Sequence, residues 1–310
     1  MIPMNSEPDV PLRDPPSQSG EEEGPSAAEQ AKAIEQPPPQ PVEITADTNL
    51  SELSAAQMYE LNQAHETADV HRPLIAEIAP IAELRAEYEN GSTLFVQQID
   101  NLESQGYSSI RRTRAVAFAY VEQVLKSSDP PLAVATTLST LEGTPALLET
   151  VGYQNLVFDD FYSVLVQLVR NVTIPDELGN KLTNQTLLEA FQSPAESNSI
   201  VVYMRMLTSA QMQLNAENFA PFLFHPELGE PMEVKEFCEN FVDAIGKEAD
   251  HVQMTALSQI LRIDISVAYL DGRSEQLDFV KFSPEETTSS SPIVLLYRPG
   301  HYDILEGSYS

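Results

Sequence analysis

The 310-residue chain has a single cysteine, Cys238, and no tryptophan. One thiol excludes an internal disulfide framework and cannot build a cysteine-rich zinc cluster, so the sequence predicts a reducing cytoplasmic or nuclear setting. Basic residues are also scarce: 17 Lys and Arg oppose 47 Asp and Glu, which gives a net charge of −30. Because nucleic acids and anionic membrane surfaces bind clustered cations, this balance argues against both as partners.

Cofactor motifs are missing as well. The twelve glycines include no Gly-x-Gly-x-x-Gly or Walker pattern, so no nucleotide cofactor is predicted. The five histidines are scattered without the spacing of metal ligands, and no metal site is predicted. No apolar run reaches the roughly 18 residues that a membrane-spanning helix needs.

Proline is distributed unevenly. Residues 1–48 contain ten of the 23 prolines, together with the acidic run Glu21-Glu22-Glu23. A segment with so few aromatic and periodic apolar residues cannot bury enough surface to offset the entropy lost on ordering. The sequence therefore predicts a disordered Pro/Glu-rich tail over residues 1–48 and one domain over residues 49–310.

Apolar residues recur at helical spacing through most of this domain and alternate near its end. Helices are predicted at residues 77–89, 94–102, 115–126, 131–141, 144–151, 159–171, 183–192, 196–216, 234–241 and 249–261. Strands are predicted at residues 264–270, 279–282, 292–297 and 301–305. Many helices followed by a small, mostly antiparallel C-terminal sheet indicate an α+β fold.

The closing strands form a predicted hairpin around the turn Pro299-Gly300. Side chains two residues apart on a strand share a face, so Asp303 is expected beside the imidazole of His301. A carboxylate in that place can orient a general base, as nucleophilic catalysis requires. The pattern alone leaves two interpretations open: part of a catalytic site, or a histidine satisfied by a neighbouring aspartate at a sheet edge.

The flanking residues add a family resemblance. The run Tyr297-Arg298-Pro299-Gly300-His301-Tyr302-Asp303-Ile304-Leu305 resembles the closing motif of the otubains, cysteine isopeptidases of the ovarian-tumour superfamily that cleave ubiquitin from conjugates and polyubiquitin. Further segments resemble the family in the same order, over roughly residues 70–307 in total. They are residues 85–89, 107–114, 199–209, 234–238 and 247–252.

This resemblance implies a papain-like, OTU-type fold, with His301 as the general base and Asp303 as the residue that orients it. It also implies ubiquitin and polyubiquitin as partners. Ubiquitin-conjugating enzymes are implied as further partners, because otubains restrain such enzymes without catalysis.

The chain departs from the family at its nucleophile. In otubains the run Ile-Arg-x-Thr-Arg leads into Asp-Gly-(Asn or Asp)-Cys-Phe, which supplies the catalytic cysteine. Here Thr113-Arg114 passes directly into Ala115-Val116-Ala117, which resembles the helix that follows the nucleophile in the family. The cysteine expected between Arg114 and Ala115 is absent while both flanks remain. A skipped short exon, an alternative splice or an error in the gene model would leave this pattern.

Other residues make poor substitutes. Cys238 falls on the apolar face of a predicted helix and is expected to be a small buried residue. Thr113, Ser108 and Ser109 lie near the gap but lack the oxyanion donors that the missing loop would supply. Asp250-His251 is interpreted as a helix cap or surface pair. The basic run 111–114 is interpreted as internally paired, with docking of an acidic partner as the alternative.

Three functional hypotheses follow. The chain is an incomplete product of a gene for a deubiquitinating isopeptidase, a non-catalytic protein that binds ubiquitin or a ubiquitin-conjugating enzyme, or an inert, short-lived product. We favour the first for the gene and the second for this chain, which as written is not expected to hydrolyse isopeptide bonds.

Overall fold

The computed structural model describes residues 74–91, 93–112, 115–284, 291–298 and 301–307, all within one compact unit. The predicted tail over residues 1–48 lies outside these ranges, as do Thr113 and Arg114. Within the described part, no helix is long and apolar enough to cross a bilayer.

Helices account for most of the described residues and lie close to the predicted positions. They are α1 (Ile81–Tyr88), α2 (Thr93–Ser104), α3 (Ala115–Leu125), α4 (Pro130–Glu142), α5 (Thr144–Thr150), α6 (Asn155–Asn171), α7 (Asn184–Gln192), α8 (Pro194–Leu214), α9 (Ala216–Phe219), a 3-10 turn (Ala220–Phe222), α10 (Val234–Phe237), a π-helical segment (Cys238–Val242) and α11 (His251–Leu261).

The helix predicted at 77–89 is shorter than expected. Pro80 has an extended backbone, with ψ 144°, and the helix begins only at the next residue. The two residues Ala79–Pro80 instead form strand β1, which pairs with Ile110 and Ser109. Proline is compatible with this position because an edge strand does not need every backbone N–H for pairing.

Six strands form one sheet in the order β1-β2-β6-β5-β3-β4. The remaining strands are β2 (Tyr107–Arg112), β3 (Ile265–Tyr269), β4 (Asp278–Phe282), β5 (Ile293–Arg298) and β6 (His301–Gly307). Strands β3 and β5 are parallel and the other four pairs are antiparallel, which confirms the α+β fold with a mostly antiparallel sheet.

The expectation that this sheet is wholly C-terminal was wrong, because β1 and β2 precede most of the helices. The sequence of β2, Tyr-Ser-Ser-Ile-Arg-Arg, has one fully buried apolar side chain, Ile110. It therefore lacks the alternation that identifies a strand. Pairing with β6, far along the chain, gives it its conformation.

The sheet is covered on both faces. Leu295 and Ile304 pack into the large helical core, whereas Leu296 and Leu305 pack on the opposite face. Helix α8 (Pro194–Leu214) lies within the large core and buries residues around most of its circumference, as expected for a central helix. Strand β6 is held between β2 and β5, so the position of its first residues is set by both neighbours.

Candidate active site

The two predicted site residues meet at the start of β6. His301 pairs with Arg298 across the hairpin turn, and Asp303 pairs with Leu296. Nε2 of His301 lies 3.6 Å from Oδ2 of Asp303, which is longer than a hydrogen bond. The Asp303 side chain is fully buried, whereas the His301 side chain is 47% exposed. The pair therefore consists of an internal carboxylate and an imidazole that solvent can reach.

Asp303 is bound by an arginine that the sequence did not single out as a site residue. Nε and Nη2 of Arg298 donate to Oδ2 of Asp303 at 2.9 and 2.5 Å. Nη1 of Arg298 donates to Oε2 of Glu87 at 3.0 Å. Oδ1 of Asp303 makes no hydrogen bond to the residues that the structure describes. The guanidinium thus compensates the charge of the buried carboxylate.

The residues that flank the predicted position of the nucleophile, between Arg114 and Ala115, lie near this pair. The last residue of β2, Arg112, is the backbone partner of Asp303 on β6. Helix α3 begins at Ala115, and its Val116 and Ala117 line the same cavity as His301. The described residues before and after residues 113 and 114, which lie outside the described ranges, are therefore close to the His301–Asp303 pair.

The cavity beside His301 has a volume of about 400 Å³ and a mainly apolar lining. One wall is the segment 241–249, which is tied to two other elements. Arg205 of α8 donates hydrogen bonds to the carbonyls of Val242, Ala244 and Lys247 at 2.8, 3.1 and 2.6 Å. The hydroxyl of Tyr302 donates to the carbonyl of Ala249 at 2.6 Å. These bonds fix the wall relative to α8 and β6.

A buried carboxyl group lies within this wall. The hydroxyl of Tyr153 is 2.8 Å from each carboxylate oxygen of Asp243, and the hydroxyl of Ser209 is 3.4 Å from Oδ2. Burial raises the pKa of Asp243 to about 7, against the opposing effects of these hydrogen bonds and of the charge on Arg205.

The only thiol has a different environment. Cys238 is fully buried in an apolar cluster with Met212, Phe237 and Val242. Its Sγ donates a weak hydrogen bond to the carbonyl of Ser209 at 3.8 Å, and burial raises the pKa of the thiol to about 12. It is not among the described residues that line the His301 cavity. The prediction that Cys238 is a small buried residue is confirmed.

The hydroxyls near the gap are also separated from the base. Ser109 pairs with Glu306, which lies five positions beyond His301 on β6. Ser109 and His301 are therefore roughly 16 Å apart along the strand direction. Ser108 precedes Ser109 at an irregularity in the pairing and is no nearer. Thr113, the third alternative, lies outside the described residues.

Two other sequence interpretations can be compared with the structure. Internal pairing of the basic run 111–114 is confirmed for Arg111, which is buried and pairs with Glu122 at 3.8 Å and Glu306 at 3.6 Å, while the other side chains of the run lie outside the described residues. Asp250 is the N-cap of α11: its carboxylate accepts from the backbone N–H of His251 at 2.7 Å, and its own N–H donates to Gln253. The Asp250-His251 pair therefore has a structural role.

Comparisons with known proteins agree with this architecture. The family model of peptidase C65, otubain, matches residues 67–307. An ovarian tumor domain-containing deubiquitinating enzyme 1 from Arabidopsis thaliana is 32% identical over 263 residues, covering 78% of this chain and 83% of that protein. Ubiquitin thioesterase OTUB1 from Homo sapiens is 30% identical over 259 residues, covering 81% and 89%.

Solved structures share the fold. A complex of OTUB1 with ubiquitin aldehyde and UBC13~Ub superposes with a TM-score of 0.64 at 24% identity, covering 82% of this chain and 98% of that one. A complex of OTUB1 with ubiquitin aldehyde and UBCH5B~Ub gives a TM-score of 0.65 at 23% identity, with 82% and 97% covered. The predicted OTU-type fold is confirmed, and the chain belongs to the otubain family of peptidases, C65.

Proposed function

We propose that this chain binds ubiquitin as a non-hydrolysing otubain. The observation that carries the proposal is the separation of its only thiol from its candidate base: Cys238 is buried in an apolar cluster, whereas His301 borders an open cavity. The relatives named above are a deubiquitinating enzyme and a ubiquitin thioesterase, which supports ubiquitin as the partner.

The chemistry of the family requires a thiolate next to the imidazole. The base removes the thiol proton, the thiolate attacks the carbonyl carbon of the isopeptide, and backbone donors stabilise the oxyanion. In this chain His301 and Asp303 have no thiol to activate. Loss of the nucleophile from a protease of the Ser-His-Asp type lowers turnover on the order of a million-fold.

Binding has fewer requirements than hydrolysis. The body of ubiquitin is expected to contact the helical region after Ser199 and the C-terminal sheet where they reach the surface around the His301 cavity, and only its flexible tail would enter that cavity. The missing loop removes hydrogen bonds to that tail at about 1 kcal/mol each, so affinity should fall about ten- to a hundred-fold below that of an intact otubain. Ubiquitin-conjugating enzymes are proposed as further partners, supported by the OTUB1 complexes that contain UBC13~Ub and UBCH5B~Ub.

The test is a titration of isotope-labelled ubiquitin with the full chain, followed by chemical shifts. We expect weak, saturable changes in ubiquitin's tail and in the surface of its body. Val201 lines the cavity, so Val201→Arg should suppress the changes in the tail. Leu156 is 85% exposed on α6 and outside the cavity lining, so Leu156→Arg is the matched control.

Two outcomes would contradict the proposal. If no ubiquitin resonance moves at millimolar concentrations of folded chain, the inert-product hypothesis remains. If Val201→Arg changes nothing while binding persists, ubiquitin uses a surface other than the His301 cavity. A parallel titration with UBC13 tests the second partner independently.

A further inference from the structure

Four charged or titratable side chains form a row at the hairpin end of strands β5 and β6. Glu87 of α1 binds Nη1 of Arg298, Arg298 binds Oδ2 of Asp303 through Nε and Nη2, and Oδ2 lies 3.6 Å from Nε2 of His301. We propose that Arg298, held by Glu87, is a positioning residue that orients Asp303 and sets the charge that His301 experiences.

The hydrogen bonds show how Arg298 orients the carboxylate. Two of its nitrogen atoms contact the same oxygen, Oδ2, while Oδ1 makes no hydrogen bond within the described ranges. Arg298 is only 5% exposed and Asp303 is fully buried, so neither charge is solvated by bulk water. Nε2 of His301 lies 3.6 Å from this same Oδ2, so the guanidinium holds in place the carboxylate oxygen that is nearest to the imidazole.

The same contact limits the electrostatic effect of Asp303 on His301. Asp303 and Arg298 together carry no net charge, and the second guanidinium contact goes to Glu87, whose side chain is 40% exposed. Across the cavity the ionisable groups that line it with His301 are Lys247 and Glu248 of the wall, which are opposite in sign, and Arg205 of α8. The hydroxyl of the neighbouring Tyr302 is bonded to Ala249.

Removal of the Arg298 charge should therefore change His301 in a defined direction. An uncompensated carboxylate a few ångströms away favours the imidazolium, so the pH at which His301 titrates should rise, by about one to two pH units. Arg298→Met removes the charge and both hydrogen bonds to Asp303. Arg298→Lys keeps the charge and should leave the midpoint within about half a pH unit of the original chain.

The experiment is an NMR titration of the imidazole resonances of the full chain, with His301 assigned by their loss in His301→Ala. We expect Arg298→Met to raise the midpoint and Arg298→Lys to leave it nearly unchanged. Arg298→Met combined with Asp303→Asn should return it close to that of the original chain, because both charges are then gone. A purely structural arginine would not move the midpoint in a folded variant. An unchanged midpoint in folded Arg298→Met would overturn the proposal.

A second variant decides the matter if Arg298→Met does not fold. Glu87→Gln keeps the Arg298–Asp303 contact and removes a partly exposed negative charge, so the midpoint of His301 should fall by a few tenths of a pH unit. No fall would overturn the proposal. This titration needs no ubiquitin, so its outcome is independent of the proposed function. If the midpoints shift as expected but the chain does not bind ubiquitin, only the proposed function is contradicted.

Discussion

The environments of Cys238 and His301 differ in their burial and in the polarity of their neighbours. The thiol is enclosed by apolar side chains in the π-helical segment after α10, and burial raises its pKa to about 12. The imidazole is half-exposed at a hairpin end, next to an oriented carboxylate and an open cavity. The thiol region has the packing of a protein core, whereas the base region keeps the features of a reactive site.

This contrast follows from the strand pairing that holds His301 and Asp303. His301 and Asp303 are held by the pairing of β6 with β5 and of Arg112 on β2 with Asp303. None of these backbone bonds involves a residue from the gap. The position of the His301–Asp303 pair is therefore set by strand register and needs no residue from the connection between β2 and α3.

The largest effect is expected from restoring a thiol to the base region. Insertion of Asp-Gly-Asn-Cys-Phe-Tyr-Arg between Arg114 and Ala115 should raise isopeptidase activity on the order of a million-fold above the original chain. Cleavage of a ubiquitin chain, followed by gel electrophoresis, measures it. In the repaired chain His301→Ala should abolish turnover, and Asp303→Asn should cost less.

Activity of the repaired chain would also support the hypothesis that the gene encodes an active deubiquitinase. A repaired chain that folds and stays inert would show that the base region is not competent. Full activity after His301→Ala would show that another residue is the base.

Alkylation of the native thiol gives the next largest effect. The pKa of Cys238 is raised from 9.0 to about 12, so the thiolate fraction should be roughly 1,000-fold below that of an exposed thiol. Native protein should resist iodoacetamide at pH 8 and react once unfolded in urea. The cysteine of the repaired chain is the internal comparison and should react in the native state. Rapid modification of Cys238 in the native protein would contradict the claim that its thiol is enclosed in the core.

Stability against pH tests the same core region. Folding raises the pKa of Asp243 from 3.8 to about 7, so between these values the unfolded chain binds fewer protons than the folded one. The free energy of unfolding should then fall as pH rises from about 4 to about 7, by up to about 4 kcal/mol from this group. Above pH 7 no further loss from Asp243 is expected.

Because other acids also titrate, the measurement is the difference between the original chain and Asp243→Asn in urea unfolding at several pH values. As pH rises from about 4 to about 7, the free energy of unfolding of the original chain should fall relative to that of Asp243→Asn. A constant difference would mean that Asp243 ionises normally in the folded chain.

The smallest effect is expected beside the base region, at the cap of α11. Asp250→Ala removes the carboxylate that accepts from the first N–H of the helix, which should cost about 1 kcal/mol. Thermal unfolding measures the loss, with Asp250→Asn as a control that retains a capping side chain. Equal losses for both variants would mean that the cap is not the stabilising interaction.

The sequence predicts the contacts that are local along the chain. The pairing of His301 with Asp303 follows from the two-residue repeat of a strand, and the burial of Cys238 follows from the apolar face around Phe237. Most helix positions follow from periodicity. These inferences need only a few neighbouring residues.

The contacts missed by the sequence join distant segments. Glu87 and Arg298 are 211 positions apart, and Tyr153 and Asp243 are 90 apart. No periodic pattern encodes such pairs. Strand β2 was missed for the same reason, since its conformation comes from pairing with β6. The place of Arg298 opposite His301 across the predicted hairpin turn was a signal in the sequence that could have indicated its role in advance.

The most direct test of the account is labelling with a ubiquitin probe that carries an electrophile at its C-terminus. Because no thiol lies beside His301 and Cys238 is enclosed in the core, the purified chain should form no covalent adduct under conditions in which the repaired chain reacts fully. Intact mass measurement decides the result. An adduct with the original chain, mapped by peptide analysis to Cys238 or to any other residue, would contradict the claim that this otubain has no nucleophile.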